Sequence, residues 1–292
     1  MRSVLKASAL LGVALVHVAM GAAPASAQVP VPLTVTNNTA RGLVELPGGF
    51  GVELTLSFEN VVGLHPGALD VTATLVDPLD PLLLARLPPP APGPLGLPGI
   101  PLVNIPAALP VLLRIEPSAS SALSFSGLAS VALYTHNLQL DPLIPLALYK
   151  SHDGGPFRDI MSSEGRGSYR AGGGGGDFSE FLIVVDLRPL DVVIVEKFGL
   201  LQGLIDTHDE SIPPTVATSL HQRVARGRAF YEAGATIAAI WEMGAFSRYV
   251  ETHSGQEIPD VWRAHCGGAN VAGELRSAAA TLKFSLDRKA SR

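Results

Sequence analysis

The chain has 292 residues, with 21 Lys and Arg against 26 Asp and Glu, a formal net charge of −5, and a single cysteine. An acidic balance argues against nucleic acid as the main partner, because phosphate binding needs clustered cations, and 47% hydrophobic residues argue against disorder throughout. Only 16% of residues are charged, below the roughly 25% usual for soluble domains, so Ser, Thr, Gly, Pro and Ala must cover much of a surface suited to an exported protein.

The N-terminus has the order of a secretory signal. Arg2 and Lys6 precede an apolar run from Ala9 to Met20, and Ala25-Ser26-Ala27 stands before Gln28. Positive charge orients such a segment, the run inserts, and small residues fit the peptidase. The run is shorter than the roughly 20 residues that span a bilayer. Residues 1–27 are therefore read as a signal peptide cleaved near Ala27, which sends the mature chain to the periplasm or outside the cell. No cysteine stands at that point to accept lipid.

From Gln28 the pattern is that of strands. Residues 51–59 alternate, with Val52, Leu54, Leu56 and Phe58 on one face and Glu53, Thr55, Ser57 and Glu59 on the other, the period of a half-buried strand. Residues 69–75 repeat it. Further strands are expected at 33–36, 111–115, 122–126, 129–135, 146–149, 168–171 and 178–186. Short strands punctuated by Gly, Pro and Asn indicate an antiparallel β-sandwich, Ig-like in kind. The lack of strand–helix alternation disfavours a parallel nucleotide-binding sheet.

Two insertions interrupt this half. The Pro-rich segment 78–110 reads as an extended loop, and its prolines forbid a second membrane helix. Residues 171–177 hold five consecutive Gly and read as a mobile hairpin tip; without a Lys they do not match a phosphate loop.

After Asp186 the period becomes helical. Pro189 and Asp191 open a helix that aligns Ile194, Phe198, Leu201 and Ile205 on one face. Pro213 and Pro214 begin a second, which Gly234 stops. Thr236 is expected to cap a third, ending at Ser254-Gly255, and a fourth covers 271–286. The fold class is α+β: an N-terminal β-sandwich over 28–188, with the insertion 78–110, followed by a small helical bundle over 189–292.

Two resemblances add to this. Ala229-Phe230-Tyr231-Glu232-Ala233-Gly234, then Ala238-Ala239-Ile240, Met243, Phe246, Val250, Ser254-Gly255 and Ile258, resemble the FIMAH-type helical module appended to secreted and surface-attached bacterial proteins. Met243 stands where Leu is commoner, and 258–264 depart from that pattern. The mature chain as a whole resembles an uncharacterised family of secreted bacterial proteins through Gly155-Pro156-Phe157-Arg158-Asp159-Ile160, Gly167-Ser168-Tyr169-Arg170, Phe178-Ser179-Glu180-Phe181 and the stretch from Ile258 to Ala264. That resemblance implies secretion and architecture and supplies no catalytic residue.

No hydrolase elbow, zinc helix, Walker loop or calcium loop is present, and the reading assigns no cofactor, metal or catalytic residue. Asp159, Arg170, Glu180 and Trp262 are the ligand-binding candidates. The first three flank strands and offer either a ligand-recognising ion pair or a structural bridge; Trp262 offers an aromatic face or a core contact. His136, His152, Asp153, Asp141 and Asp159 are a second group that could converge at one end of the sandwich. Cys266 is a lone surface thiol that leaves a disulfide-linked dimer open. The expected function is non-enzymatic surface association or assembly with an envelope protein. The alternative is a polysaccharide-binding accessory module, and a glycoside hydrolase using Asp153 and Asp159 stands third.

Overall fold

The structure, a computed structural model, describes residues 28–90, 99–141, 144–165, 167–265 and 268–292. The proposed signal segment and Cys266 lie outside the described residues. The first half supplies β1 (Gln28–Pro30), β2 (Leu33–Thr36), β3 (Thr39–Leu46), β4 (Phe50–Val62), β5 (Leu69–Leu75), the short α1 (Pro81–Leu84) and β6 (Val103–Asn104). Then come β7 (Val111–Pro117), β8 (Ser124–Gln139), β9 (Leu146–Ser151), β10 (Arg158–Asp159), β11 (Met161–Gly165), β12 (Ser168–Gly175) and β13 (Glu180–Asp186). Helices α2 (Leu190–Thr207), α3 (Pro214–Glu232) and α4 (Thr236–His253) precede β14 (Val261–Arg263) and the final α5 (Val271–Ala290).

The strands form two antiparallel sheets. One runs β1-β5-β7-β13-β9-β10 with β6 beside β13, and the other runs β11-β12-β8-β4-β3-β2 with β14 beside β8. Period-2 alternation sends Val52, Leu54, Leu56 and Phe58 of β4 inward, as the sequence predicts, and Leu69, Val71 and Ala73 of β5 likewise. One hydrophobic core draws on both sheets. At one end of it Phe58, Phe125 and Phe178 meet pairwise with ring centroids 5.5–5.8 Å apart, in the tilted and edge-on geometries aromatic rings favour.

Three local expectations change. The two strands expected at 122–126 and 129–135 are one strand, β8, running through Gly127, whose φ of +74° does not end it. A register shift between Phe58 and Asn60 on the paired β4 absorbs the irregularity. Within the Pro-rich insertion, residues 81–84 form α1, capped by Asp80 with Pro81 in its first turn, and Val103–Asn104 pair with β13. The glycine run is no mobile tip: Gly172 to Gly175 are paired with Ala132 to Ala129 of β8, and β11 flanks Gly172 and Gly173 on the other side.

The reason for that run is close approach. A Cβ on Gly173 would lie 2.6 Å from Ile160 Cδ1, one on Gly175 2.8 Å from Lys150 Nζ, and one on Gly176 2.7 Å from Glu274 Cγ. These distances are too short for side chains to coexist, so α5 and the β9–β11 segment rest directly on backbone. Ser277 of α5 donates to the Gly174 carbonyl, and the buried Asn270 donates to the Gly127 carbonyl at 2.6 Å while its Oδ1 accepts from the Gly273 N–H at 2.8 Å. Asn270 thus caps α5 and ties it to β8 at once. Arg276 completes the attachment with a two-pronged pair to Glu59 of β4, both contacts at 2.8 Å.

Helices α2 to α5 surround a second apolar cluster that includes Phe198, Leu220, Met243, Phe246 and Leu282. Thr236 is the first residue of α4 rather than its cap; Ala235 precedes it without a side-chain hydrogen bond. Gly234 and Gly255 take φ of +78° after α3 and α4, as their placement in the sequence predicts. The chain then returns to the second sheet, where β14 pairs with β8 and sets Trp262 opposite Phe125. Among the described residues no helix is long and apolar enough to cross a membrane.

The glycine contacts predict that Gly176→Ala lowers unfolding free energy by about 1–3 kcal/mol through overpacking. Gly199→Ala, on an exposed face of α2 with nothing within 4 Å, raises it by about 0.5–1 kcal/mol. Urea unfolding of the two variants beside the parent checks both signs.

Candidate functional site

Where β9 and β10 of the first sheet, the glycine end of β12 and helices α2 and α5 meet, they enclose a cleft of about 360 Å³. That is within the range of small-molecule sites, roughly 300–1,000 Å³. Ile160, Leu200, Leu204 and Ala278 give it apolar walls, and Lys150, His152, Arg158, Asp159, Asp177 and Glu274 bring charge or polarity to it. A smaller cavity of about 170 Å³ shares Arg158, Asp159 and Leu200, so these three stand between two openings. The glycines of β12 contribute backbone alone, which leaves the floor of the cleft open.

Most of the charges are already engaged. Asp177 forms an ion pair with Lys150, whose Nζ also donates to the Asp177 carbonyl at 3.0 Å, and its second carboxylate oxygen lies 2.9 Å from His152 Nδ1. Asp159 sits 2.7 Å from Lys197 Nζ and accepts the Met161 N–H at 2.8 Å. Lys197 is 4% exposed and donates in addition to the Thr281 carbonyl at 3.2 Å and Ser285 Oγ at 2.9 Å, so all three of its donors are used. Glu274 faces His208 Nε2 at 3.0 Å. Arg158 differs: it is exposed, it lines both cavities, and no hydrogen bond or ion pair engages its guanidinium among the described residues.

Behind the cleft, a buried polar network fixes α2 to the first sheet. Tyr149 of β9 donates to Asp186 at 2.7 Å, Arg188 reaches the same carboxylate at 2.8 Å, and Arg188 also pairs with Glu196 of α2. Burial works to raise the Asp186 carboxyl, yet the Arg188 hydrogen bonds and charge outweigh it and hold the group below its ordinary range. Burial and the neighbouring Asp186 push the Tyr149 phenol well above its usual range, so the network stays an ionised acid between a neutral phenol and a guanidinium.

The candidates read from sequence do not come together. Asp159 lines the cleft, but Arg170 lies with its guanidinium 4.9 Å over the Tyr134 ring, its partner across β12 and β8. Glu180 pairs with Arg86 of the Pro-rich insertion, which also covers the Phe157 ring at 4.5 Å. Trp262 is stacked on Phe125 at 5.2 Å and edge-on to Phe178 at 5.1 Å, packed on the core rather than offered as a platform. Of the second group, His152 and Asp159 line the cleft, whereas Asp153 is 83% exposed and His136 rests on Ser168 and Tyr134. Asp153 therefore does not line the cleft with Asp159. Sequence reasoning missed Lys150, Asp177, Lys197 and Glu274 as a set, and with them Trp241, whose indole is 74% exposed on α4 one turn after the 56% exposed Ile237. The word Gly155-Pro156-Phe157-Arg158-Asp159-Ile160 was a usable signal, for four of its six residues line the cleft. Among the described residues no group of three His, Cys, Asp or Glu side chains is arranged to hold a metal ion.

Residues 15–290 match DUF6689, a family of unknown function, and the chain belongs to that family. No curated protein matches it.

Lys197 gives this arrangement a direct test. Lys197→Met leaves the Asp159 carboxylate buried without its cation and is expected to cost about 3–5 kcal/mol of stability, whereas adding Asp159→Asn recovers most of that loss because no charge then remains buried. Urea midpoints of the single and double variants measure the difference.

Proposed function

We propose that this member of the DUF6689 family is an exported, non-catalytic binding protein that takes a small ligand into the cleft between its sheets and helices α2 and α5, and through it serves surface association or assembly. In this reading the two sheets form a sandwich, the helices form a bundle, and the ligand lies at their junction. The observation that carries it is the state of the cleft's carboxylates. Asp159 and Asp177 are each held by a lysine ammonium, so neither carboxylate stands as a free acid or base for proton transfer, while the apolar walls and open floor suit binding.

A second reading, contact with polysaccharide or with an envelope protein, draws support from one feature. Trp241 and Ile237 share an exposed face of α4, an aromatic surface of the sort that Trp262 does not provide.

The test is a fragment screen by nuclear magnetic resonance on the chain from Gln28 to Arg292, repeated with Leu200→Trp, which fills the cleft from its half-buried α2 wall. Hits are expected at residues around the cleft and are expected to vanish in the variant. Fragments that leave the cleft untouched, together with polysaccharide binding lost on Trp241→Ala, would move the function to the α4 face.

A further inference from the structure

Resting on the cleft as the binding site, we infer that its ligand is an organic anion: an acidic oxygen-rich head group, carboxylate or phosphate, carried on an apolar body. The inference starts from strand register. Arg158 of β10 stands directly opposite Lys150 of β9, and directly paired residues of an antiparallel ladder project from the same face with Cβ atoms about 5 Å apart. Two cations so placed repel one another, and a sheet accepts the arrangement when something neutralises both. Asp177 neutralises Lys150 and also receives His152. Nothing among the described residues does the same for Arg158. The polar end of the cleft therefore holds two cations and a histidine around one carboxylate, with five guanidinium donors unspent and one Lys150 donor left over.

That arrangement fits an incoming anion. A carboxylate or phosphate placed against Arg158 can accept two parallel N–H bonds, the geometry in which guanidinium recognition is strongest. The rest of the lining sets what the anion is attached to. Ile160, Leu200, Leu204 and Ala278 continue from the charged end toward α2 and α5, and they offer an aliphatic chain or ring a dry wall. Glu274 also lines the cleft, but from α5, where His208 engages it, and Asp159 is answered by Lys197 on its other side. The unanswered charge at the mouth is positive.

The experiment uses four probes that share one tail: octanoate, octyl phosphate, octylamine and octanol, titrated calorimetrically into the chain from Gln28 to Arg292. Octanoate, octyl phosphate or both are expected to bind at least about tenfold more tightly than octanol and octylamine, the scale of one charge-assisted pair; which of the two anions binds identifies the head group. Arg158→Gln, at an exposed residue whose loss orphans no partner, is expected to erase that preference, and Arg158→Glu to reverse it toward octylamine. A merely structural arginine would not exchange one preference for the other. Octanol binding as well as octanoate, or a preference unchanged in Arg158→Gln, overturns the anion while the cleft stands, provided Leu200→Trp abolishes the binding. If no probe binds and the fragment screen also leaves the cleft empty, the binding reading falls with it.

Discussion

Everything at the junction of sheets and helices depends on a strand end that has no side chains. Gly172 to Gly175 of β12 are paired with β8, and Gly172 and Gly173 with β11 as well, so their missing side chains do not serve a turn; they let α5 and the β9–β11 segment rest on backbone. Side chains at 173 and 175 would strike Ile160 and Lys150, and one at 176 would strike Asn270 and Glu274, so that α5 would have to lift away. Its N-cap would then lose the Gly127 carbonyl, Ser277 the Gly174 carbonyl, and Arg276 its reach to Glu59. Glycine costs conformational entropy on folding, and here that cost is offset by a helix docked through buried polar bonds. The same absence of side chains leaves open the floor of the cleft.

Charge is scarce in this chain, and well-buried ion pairs lie at that junction. Buried ion pairs contribute little net stability against well-packed apolar residues, because desolvation nearly cancels their attraction. Their effect is geometric. Lys197, with Asp159, Thr281 and Ser285 around one ammonium, fixes α2 against both β10 and α5, and Arg188 does the same between β13 and α2 through Asp186, Tyr149 and Glu196. An apolar contact would tolerate sliding along the helix axis; these hydrogen-bonded groups have partners in one register alone.

Period-2 alternation made β4 and β5 legible with their inward faces, because one face of each meets the core and the other does not. Helical spacing made α2 to α4 legible for the same reason, and Gly234 and Gly255 announced the stops. The glycine run was misread because flexibility in an isolated chain and close packing in a folded one demand the same residue; only the identity of the approaching atoms separates them. The sequence reading did not single out Asn270, and its bond to Gly127, 143 residues away, left no local trace. The site was less legible than the fold. Asp159, Lys197 and Glu274 lie on different elements, and no spacing rule connects them. Arg170 and Glu180, adjacent to strands in sequence, found partners in Tyr134 and Arg86 that period and composition do not name. Trp262 went to the core because β14, a strand of three residues within the helical half, pairs with β8.

That return of β14, with the docking of α5, changes what kind of object the chain is. A helical segment appended to a sheet domain by a linker would leave the sheet edge free. Here Trp262 and Ala264 pack on the sheet core while Asn270, Arg276 and Ser277 fasten α5 across β8, β4 and β12. The cleft is walled by both parts, with Lys150 and Arg158 from one and Leu200, Leu204 and Glu274 from the other. A ligand seated there touches both at once, so its binding energy adds to the contacts that hold them together. Placing the charged end on the sheets and much of the apolar wall on the helices would make recognition of a whole ligand conditional on the docked arrangement.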